Sequence, residues 1–294
     1  MKDMILIAGP ASTYLAEKIS EITGIKLVKL EHKLFPDGES YIRFPESIEG
    51  EDLIVIQGTH PPQDRHLIQA YLIAENALDL GARTVKLVSP YLAYARQDKR
   101  FREGEAVSIL SILKMMKSAG YEKVYTVNIH APWIAEKSPL PLIDLRAEKV
   151  LAKYLKNLDL EDVIIVSVGK KGESMASMVA EELGVGYAAA KSMRDTITGK
   201  VKVELEGVEE VKRAIVVDDI ISTGGTMAEV VKALKEKGAR EVYAACIHAL
   251  MVGNAEDKIT SAGASEIIAS DTIPNKFMKY SVAELISNAI LREK

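Results

Sequence analysis

A chain of 294 residues, 48% apolar and 27% charged, has the length for about two globular domains with buried cores. A net charge of −4 with both signs interspersed and no basic tail argues against a nucleic-acid partner, and no apolar run approaches the ~18 residues of a membrane span. The single cysteine, Cys246, excludes an intrachain disulfide; inside an apolar run it reads as a buried, inert thiol in a cytoplasmic protein, and the apolar run at 4–9 is too short, and lacks the basic flank, for a signal peptide.

Short β-branched runs alternate with amphipathic stretches, the pattern of an α/β protein with largely parallel sheets. In the first half this predicts strands at Met4–Ala8, Ile25–Leu30, Ser40–Phe44, Leu53–Gln57, Thr84–Ser89 and Val124–Ile129, with helices at Ser12–Thr23 and Asp64–Leu80. Pro139 and Pro141 mark a break, dividing the chain into domains 1–141 and 142–275. Beyond it come a helix at Leu145–Leu155, a strand at Val163–Val168 and a strand at Arg213–Val217. A helix at Gly225–Glu236, a strand at Glu241–Ala249, a helix at Ala255–Ala262, a strand at Glu266–Ser270 and a terminal helix at Ser281–Leu291 complete the pattern. Gly81-Ala82-Arg83-Thr84-Val85 recurs as Gly238-Ala239-Arg240-Glu241-Val242, each time between a helix and a strand, which suggests two related halves.

Three stretches carry chemistry. In Val216–Thr226 a buried strand ends in Asp218 and Asp219, then turns through Ser222-Thr223-Gly224-Gly225-Thr226 into a helix. Two glycines let backbone N–H groups approach an anion, the hydroxyls add donors, and the helix directs its positive dipole end at the same place. That equipment suits a phosphate, while the two acids suit sugar hydroxyls or a metal-bound ligand. In Ser89–Ser108, Arg96, Lys99, Arg100 and Arg102 form a cationic patch leaving the carboxyl end of a strand, apt for a polyphosphate or equally a solvated loop. Phe35-Pro36-Asp37-Gly38-Glu39 is a hairpin turn by its Pro-Asp-Gly, yet Phe35 offers a stacking face and Asp37 and Glu39 offer acceptors for an adenine.

The acid pair and Ser-Thr-Gly-Gly-Thr turn resemble the 5-phosphoribosyl 1-diphosphate (PRPP) loop of type I phosphoribosyltransferases. Taken with Phe-Pro-Asp-Gly-Glu (35–39), Pro-Tyr-x-x-Tyr-Ala-Arg-Gln-Asp (90–98), Phe-x-x-Gly-Glu-x-Val-Ser (101–108), CIHALMVGNAEDKI (246–259) and Ser-Asp-Thr-Ile-Pro-Asn (270–275), they resemble ribose-phosphate diphosphokinase, the PRPP synthetase family, over essentially the whole chain. The resemblance implies two phosphoribosyltransferase-type α/β domains with the active site between them, the terminal segment 276–294 returning to the first domain. It implies pyrophosphoryl transfer from Mg-ATP to ribose 5-phosphate, in a homo-oligomer whose adenine site is shared between subunits. Phe35, Asp37 and Glu39 would contact adenine, and Arg96, Gln97 and Asp98 the nucleotide. Asp218, Asp219, Ser222, Thr223, Gly224, Gly225 and Thr226 would hold ribose 5-phosphate. Lys191, Arg96 and Arg194 would act in catalysis, and His130 would stand at a Mg²⁺ site.

Two departures stand out. The family's Pro-Asp-x-Gly-Gly-x-x-Arg-Ala pyrophosphate turn is here Val168–Ala176, with Gly169 in place of the aspartate and Met175 in place of the arginine. The flexible loop keeps Lys191, but its arginine, normally two residues on, falls at Arg194, with Met193 between. A catalytically weakened paralogue that binds nucleotide or ribose phosphate and regulates an active partner is therefore the rival reading.

Overall fold

A computed structural model describes residues 4–158, 161–194, 201–205 and 211–293, with backbone alone at 192–194 and 201–203. The chain divides into two compact units, one of residues 1–146 and 283–294, the other of residues 147–282.

In the first unit, β1 (Met4–Ala8), β2 (Leu27–Lys29), β5 (Asp52–Ile56), β6 (Thr84–Ser89), β7 (Lys123–Val127) and β8 (Leu142–Leu145) form a parallel sheet in the order β2-β1-β5-β6-β7-β8. Helices α1 (Thr13–Thr23), α2 (Gln63–Asp79) and α3 (Ser108–Ser118) supply the crossovers. The strands are nearly continuous apolar runs because helices cover them: Leu53, Val55, Val85 and Leu87 are fully buried against Ile73, Ile109 and Leu113. A hairpin, β3 (Glu31–Leu34) with β4 (Ser40–Arg43), forms its own two-stranded sheet. Leu142–Leu145 pairs with β7, so the first sheet runs on past the two prolines and the next helix starts at Glu148 rather than Leu145.

The second unit contains α4 (Glu148–Lys156), β9 (Val163–Ser167), α5 (Glu173–Leu183), β10 (Gly186–Arg194), β11 (Val201–Leu205), β12 (Arg213–Ile221), α6 (Gly225–Glu236), β13 (Glu241–Ala249), α7 (Ala255–Ser261), β14 (Glu266–Ser270) and β15 (Met278–Tyr280). Its sheet runs β11-β10-β9-β12-β13-β14-β15, parallel except for the β10–β11 hairpin. From β9 the chain moves outward to β10 and β11, then returns to β12 on the other side of β9. The order therefore reverses between β9 and β12, where open α/β sheets bind ligands beyond the strands' carboxyl ends.

The helix Ala283–Leu291 lays Ala283, Ile286 and Ile290 inward beside α1. Past it, Glu293 takes bonds from Lys86 of β6 at 2.6 Å and Lys123 of β7 at 2.7 Å, and from the Tyr125 hydroxyl. Burial would push the Glu293 carboxyl up; the three donors outweigh it and bring it down to about 2. A depressed carboxyl contributes stability above its ordinary pKa and loses it as pH falls toward the folded value. Glu293→Gln is expected to cost about 1–2 kcal/mol at pH 7. In thermal melts, its Tm deficit against the parent should shrink between pH 5 and pH 2; a deficit constant with pH would show that the cluster is not linked to this titration.

Candidate active site

β12 extends four residues past the level of Ser167 in β9, because Asp218, Ile220 and Ile221 continue to pair with Cys246, His248 and Ala249 of β13. Asp218 and Asp219 therefore stand within the strand rather than closing it, on an overhang at the switch point. Both are half-buried. Asp218 Oδ1 accepts from Asp219 N at 3.0 Å and Asp219 Oδ1 from Ile220 N at 2.9 Å. Burial first, and the two carboxylates after it, push the thiol of Cys246 up, so this cysteine is an inert neighbour.

The chain then turns through half-buried Ser222 and exposed Thr223 to Gly224, whose φ of 73° begins α6. A Cβ at Gly224 would lie 2.8 Å from the carbonyl oxygen of Ala255 and 3.1 Å from its Cα. Glycine is thus required twice, by the left-handed backbone and by α7 pressed against it. Gly225 and Thr226 then open α6, whose first-turn N–H groups have no partner within the helix.

Across the switch point, β9 leads into Val168–Gly172. Ser167 Oγ donates to the Gly169 carbonyl at 3.0 Å, and a Cβ on Gly172 would sit 4.0 Å from Asp218 Oδ1, so this turn lies against Asp218. Lys170 and Lys171 are exposed. Met175 is only 5% exposed, turned into the core from the first turn of α5. Lys191, exposed, stands on β10 two residues beyond Ala189, the partner of Ser167, and so at the same end of the sheet. The side chains of Met193 and Arg194 lie outside those described.

In the first unit, the nucleotide candidates occupy three places. Arg96, Gln97 and Asp98 lie on the loop after β6, His130 follows β7, and Phe35, Asp37 and Glu39 form the tip of the β3–β4 hairpin. Phe35 N donates to the Glu39 carbonyl at 2.8 Å and Asp37 Oδ1 accepts from Glu39 N at 3.1 Å, closing a turn that presents Phe35 at 41% exposure. Phe35 meets Tyr41 edge to face at 5.9 Å, with Lys33 Nζ near both rings.

Residues to which the sequence assigns no role, Thr59, Tyr94 and Glu105, shape the Arg96 loop. Buried Thr59 donates to the Tyr91 carbonyl at 3.0 Å and accepts from Ala93 N at 2.8 Å. Tyr94 holds a left-handed φ of 66° with its hydroxyl bonded to Asp64. Arg96, two residues on, is exposed. Glu105 accepts from Phe101 N at 2.8 Å and Arg102 N at 3.1 Å, and these bonds hold its carboxyl below the usual range. Gln97 Nε2 is used within the loop, reaching Glu105 at 3.3 Å and the Lys99 carbonyl at 3.1 Å. The Gly-Glu of Phe-x-x-Gly-Glu was the available signal for Glu105; the role of Thr59 depends on strand adjacency that one sequence does not display.

As for a cation, no group of three or more His, Cys, Asp or Glu side chains converges among the described residues. Asp218 and Asp219 nevertheless offer hard carboxylate oxygens just ahead of the Ser222–Thr226 turn. This donor set fits Mg²⁺ shared with substrate oxygens and water, the usual manner for that ion, and does not fit an all-protein cage.

Family models match both halves: the N-terminal domain of ribose phosphate pyrophosphokinase over residues 4–120 and a phosphoribosyl transferase domain over residues 139–281. The ribose-phosphate pyrophosphokinase of Sulfolobus acidocaldarius is 37% identical over 302 residues, covering 99% of this chain and 100% of that protein. That of Saccharolobus solfataricus is 39% identical over 276 residues, covering 92% and 93%. A crystal structure of phosphoribosylpyrophosphate synthetase from Mycobacterium smegmatis matches with a TM-score of 0.89 at 28% identity, covering 100% of each chain. With this likeness running from end to end, the chain belongs to the ribose-phosphate pyrophosphokinase family.

Proposed function

We propose that this chain makes PRPP and AMP from Mg-ATP and ribose 5-phosphate. The observation that carries the reading is the pairing, at the β9–β12 switch point, of two carboxylates with an anion cradle, a constellation that takes a phosphorylated sugar. The anomeric oxygen forms a bond to the β-phosphorus of ATP, the α–β bridging bond breaks with its oxygen leaving on AMP, and the hydroxyl proton passes to solvent. Such transfer rests on positioning and charge neutralisation more than on covalent help from the protein.

Ser222, Thr223, Gly224, Gly225 and Thr226 hold the 5-phosphate, while Asp218 and Asp219 orient the ribose hydroxyls. Arg96, Gln97 and Asp98 receive the nucleotide, and Lys191, Arg96 and Arg194 offset the charge that develops on the transferring group. Asp218 and Asp219, and His130 on the nucleotide side, are the residues that would accompany Mg²⁺. When bound, that ion supplies positive charge to the phosphate oxygens. Phe35, Asp37 and Glu39 take the adenine of a second copy's site, which makes the protein a homo-oligomer. No helix among the described residues is long and apolar enough to cross a membrane, and a cytoplasmic location suits the substrates.

The test follows AMP and PRPP together from purified protein, Mg²⁺, ATP and ribose 5-phosphate. Equal formation of the two, abolished in Lys191→Ala, is expected. Intact binding of nucleotide without turnover would instead favour a regulatory paralogue.

The Gly169 departure is open to a direct check. Gly169 has φ −175° and ψ 175°, extended backbone that any residue adopts, and its Cβ direction meets nothing within 4 Å. Gly169→Asp is therefore expected to keep Tm within about 2 °C. It should lower the Mg²⁺ concentration for half-maximal activity several-fold, because it adds a hard oxygen donor to the turn that passes Asp218. An unchanged Mg²⁺ curve would show that this turn does not face the ion.

A further inference from the structure

Three consecutive carbonyls of the phosphate loop are held by one segment that follows β13. The Ile221 carbonyl accepts from Leu250 N at 2.9 Å and Met251 N at 3.1 Å, and the Ser222 carbonyl from Val252 N at 2.9 Å. The Thr223 carbonyl accepts from Lys258 Nζ of α7 at 3.2 Å. In a planar trans peptide the C=O and the following N–H point in opposite directions. Fixing these carbonyls toward 250–258 therefore turns the N–H groups of Ser222, Thr223 and Gly224 the other way, as a set of anion-binding donors.

The strap is built at some cost. Met251 takes φ 49°, a left-handed conformation uncommon for a residue with a side chain, as it delivers its N–H to Ile221. The backbone of Ala255, three residues before Lys258, is what closes on Gly224. Two of the three carbonyls are held by main-chain donors that survive side-chain substitution. The third, belonging to the peptide that orients Gly224 N–H, depends on a single side chain.

We propose that Lys258 is a positioning residue for the ribose-5-phosphate site: its ammonium fixes the Thr223–Gly224 peptide so that Gly224 N–H faces the 5-phosphate. This rests on the reading of Ser222–Thr226 as the phosphate cradle. Lys258 acts through the loop and touches its outer side; the phosphate lies on the inner one. It is also exposed, so its removal leaves the packed core intact.

The experiment compares Lys258→Met, Lys258→Arg and Thr226→Val with the parent in steady-state kinetics and thermal melts. Lys258→Met is expected to raise KM for ribose 5-phosphate about three- to tenfold. Its kcat, its KM for ATP and its Tm should stay near the parent values, and Lys258→Arg, which keeps a charged donor, should recover most of the loss. The KM ratio should persist at high salt, because a fixed hydrogen bond is not screened as a distant charge is. A ratio that collapses with salt, a loss falling on both substrates alike, or no recovery in Lys258→Arg would overturn the assignment. A raised KM in Thr226→Val beside an unchanged one in Lys258→Met would overturn it while leaving the cradle reading intact. Unchanged KM in both variants would remove the cradle reading itself.

Discussion

Gly224→Ala is expected to lose both the fold's local stability and nearly all turnover. The methyl group enters a backbone at φ 73°, which costs a non-glycine residue about 1–2 kcal/mol. It also meets the Ala255 carbonyl oxygen at 2.8 Å and Cα at 3.1 Å, main-chain atoms of a packed helix that cannot swing aside as a flexible side chain could. Overpacking of this kind adds about 1–3 kcal/mol. Relief comes only by moving α7 from the loop or by unwinding the start of α6, and either displaces the donors proposed to hold the phosphate. A displacement of about 1 Å at a positioning group is worth on the order of a hundredfold in rate, so kcat/KM should fall by at least that much. The control is Gly225→Ala, one residue on. A Cβ there meets nothing within 4 Å, and the position lies in the first turn of a helix, which alanine favours. Its Tm should match or exceed that of the parent, so any loss of activity reports crowding of the ligand. Equal Tm for Gly224→Ala and the parent would show that α7 yields and that the glycine is needed for ligand approach alone.

The same two residues mark what was legible in the sequence. The double glycine, its hydroxyls and its acids point to a phosphate cradle because each residue type answers a local demand of the backbone or the ligand. Most strands and helices were equally plain, since buried parallel strands such as Leu53–Ile56 are apolar runs and the surrounding helices are amphipathic. Less was visible where the cause lies elsewhere in the chain. The strand at Leu142–Leu145 is paired to β7, and its Leu-Ile-Asp-Leu reads as helix or strand with equal ease. The strand expected to stop at Val217 continues to Ile221 because β13 is long enough to pair with it, which moves the acid pair onto an overhang. Neither Lys258, one residue of the longer stretch 246–259, nor Thr59 carries a local sign of its role; what they hold is brought to them from residues 35 and 32 positions away. Met175 shows the converse. Read along the chain it stands where an arginine is expected, but its burial on α5 makes it part of the core of its own unit.

Asp219→Asn should separate chemistry from stability in the clearest way. Asparagine keeps the shape and the Oδ1 that accepts Ile220 N at 2.9 Å, so the strand overhang remains as it is. What disappears is the negative charge of a half-buried carboxylate, with the backbone bond it accepts kept, so Tm is expected to stay near the parent value. A sugar hydroxyl bonded to a carboxylate is held about twice as strongly as one bonded to a neutral amide. With the ribose less firmly oriented, the anomeric oxygen spends less time in line with the β-phosphorus, and kcat/KM should fall on the order of a hundredfold or more. The two readouts therefore separate, activity down and Tm level, the mark of a group retained for its ligand. A structural role predicts the opposite coupling: a lower Tm together with a loss of activity that tracks the fraction unfolded. Near-parental kcat/KM would show that Asp219 does not meet the sugar, and would leave Asp218 to orient it alone.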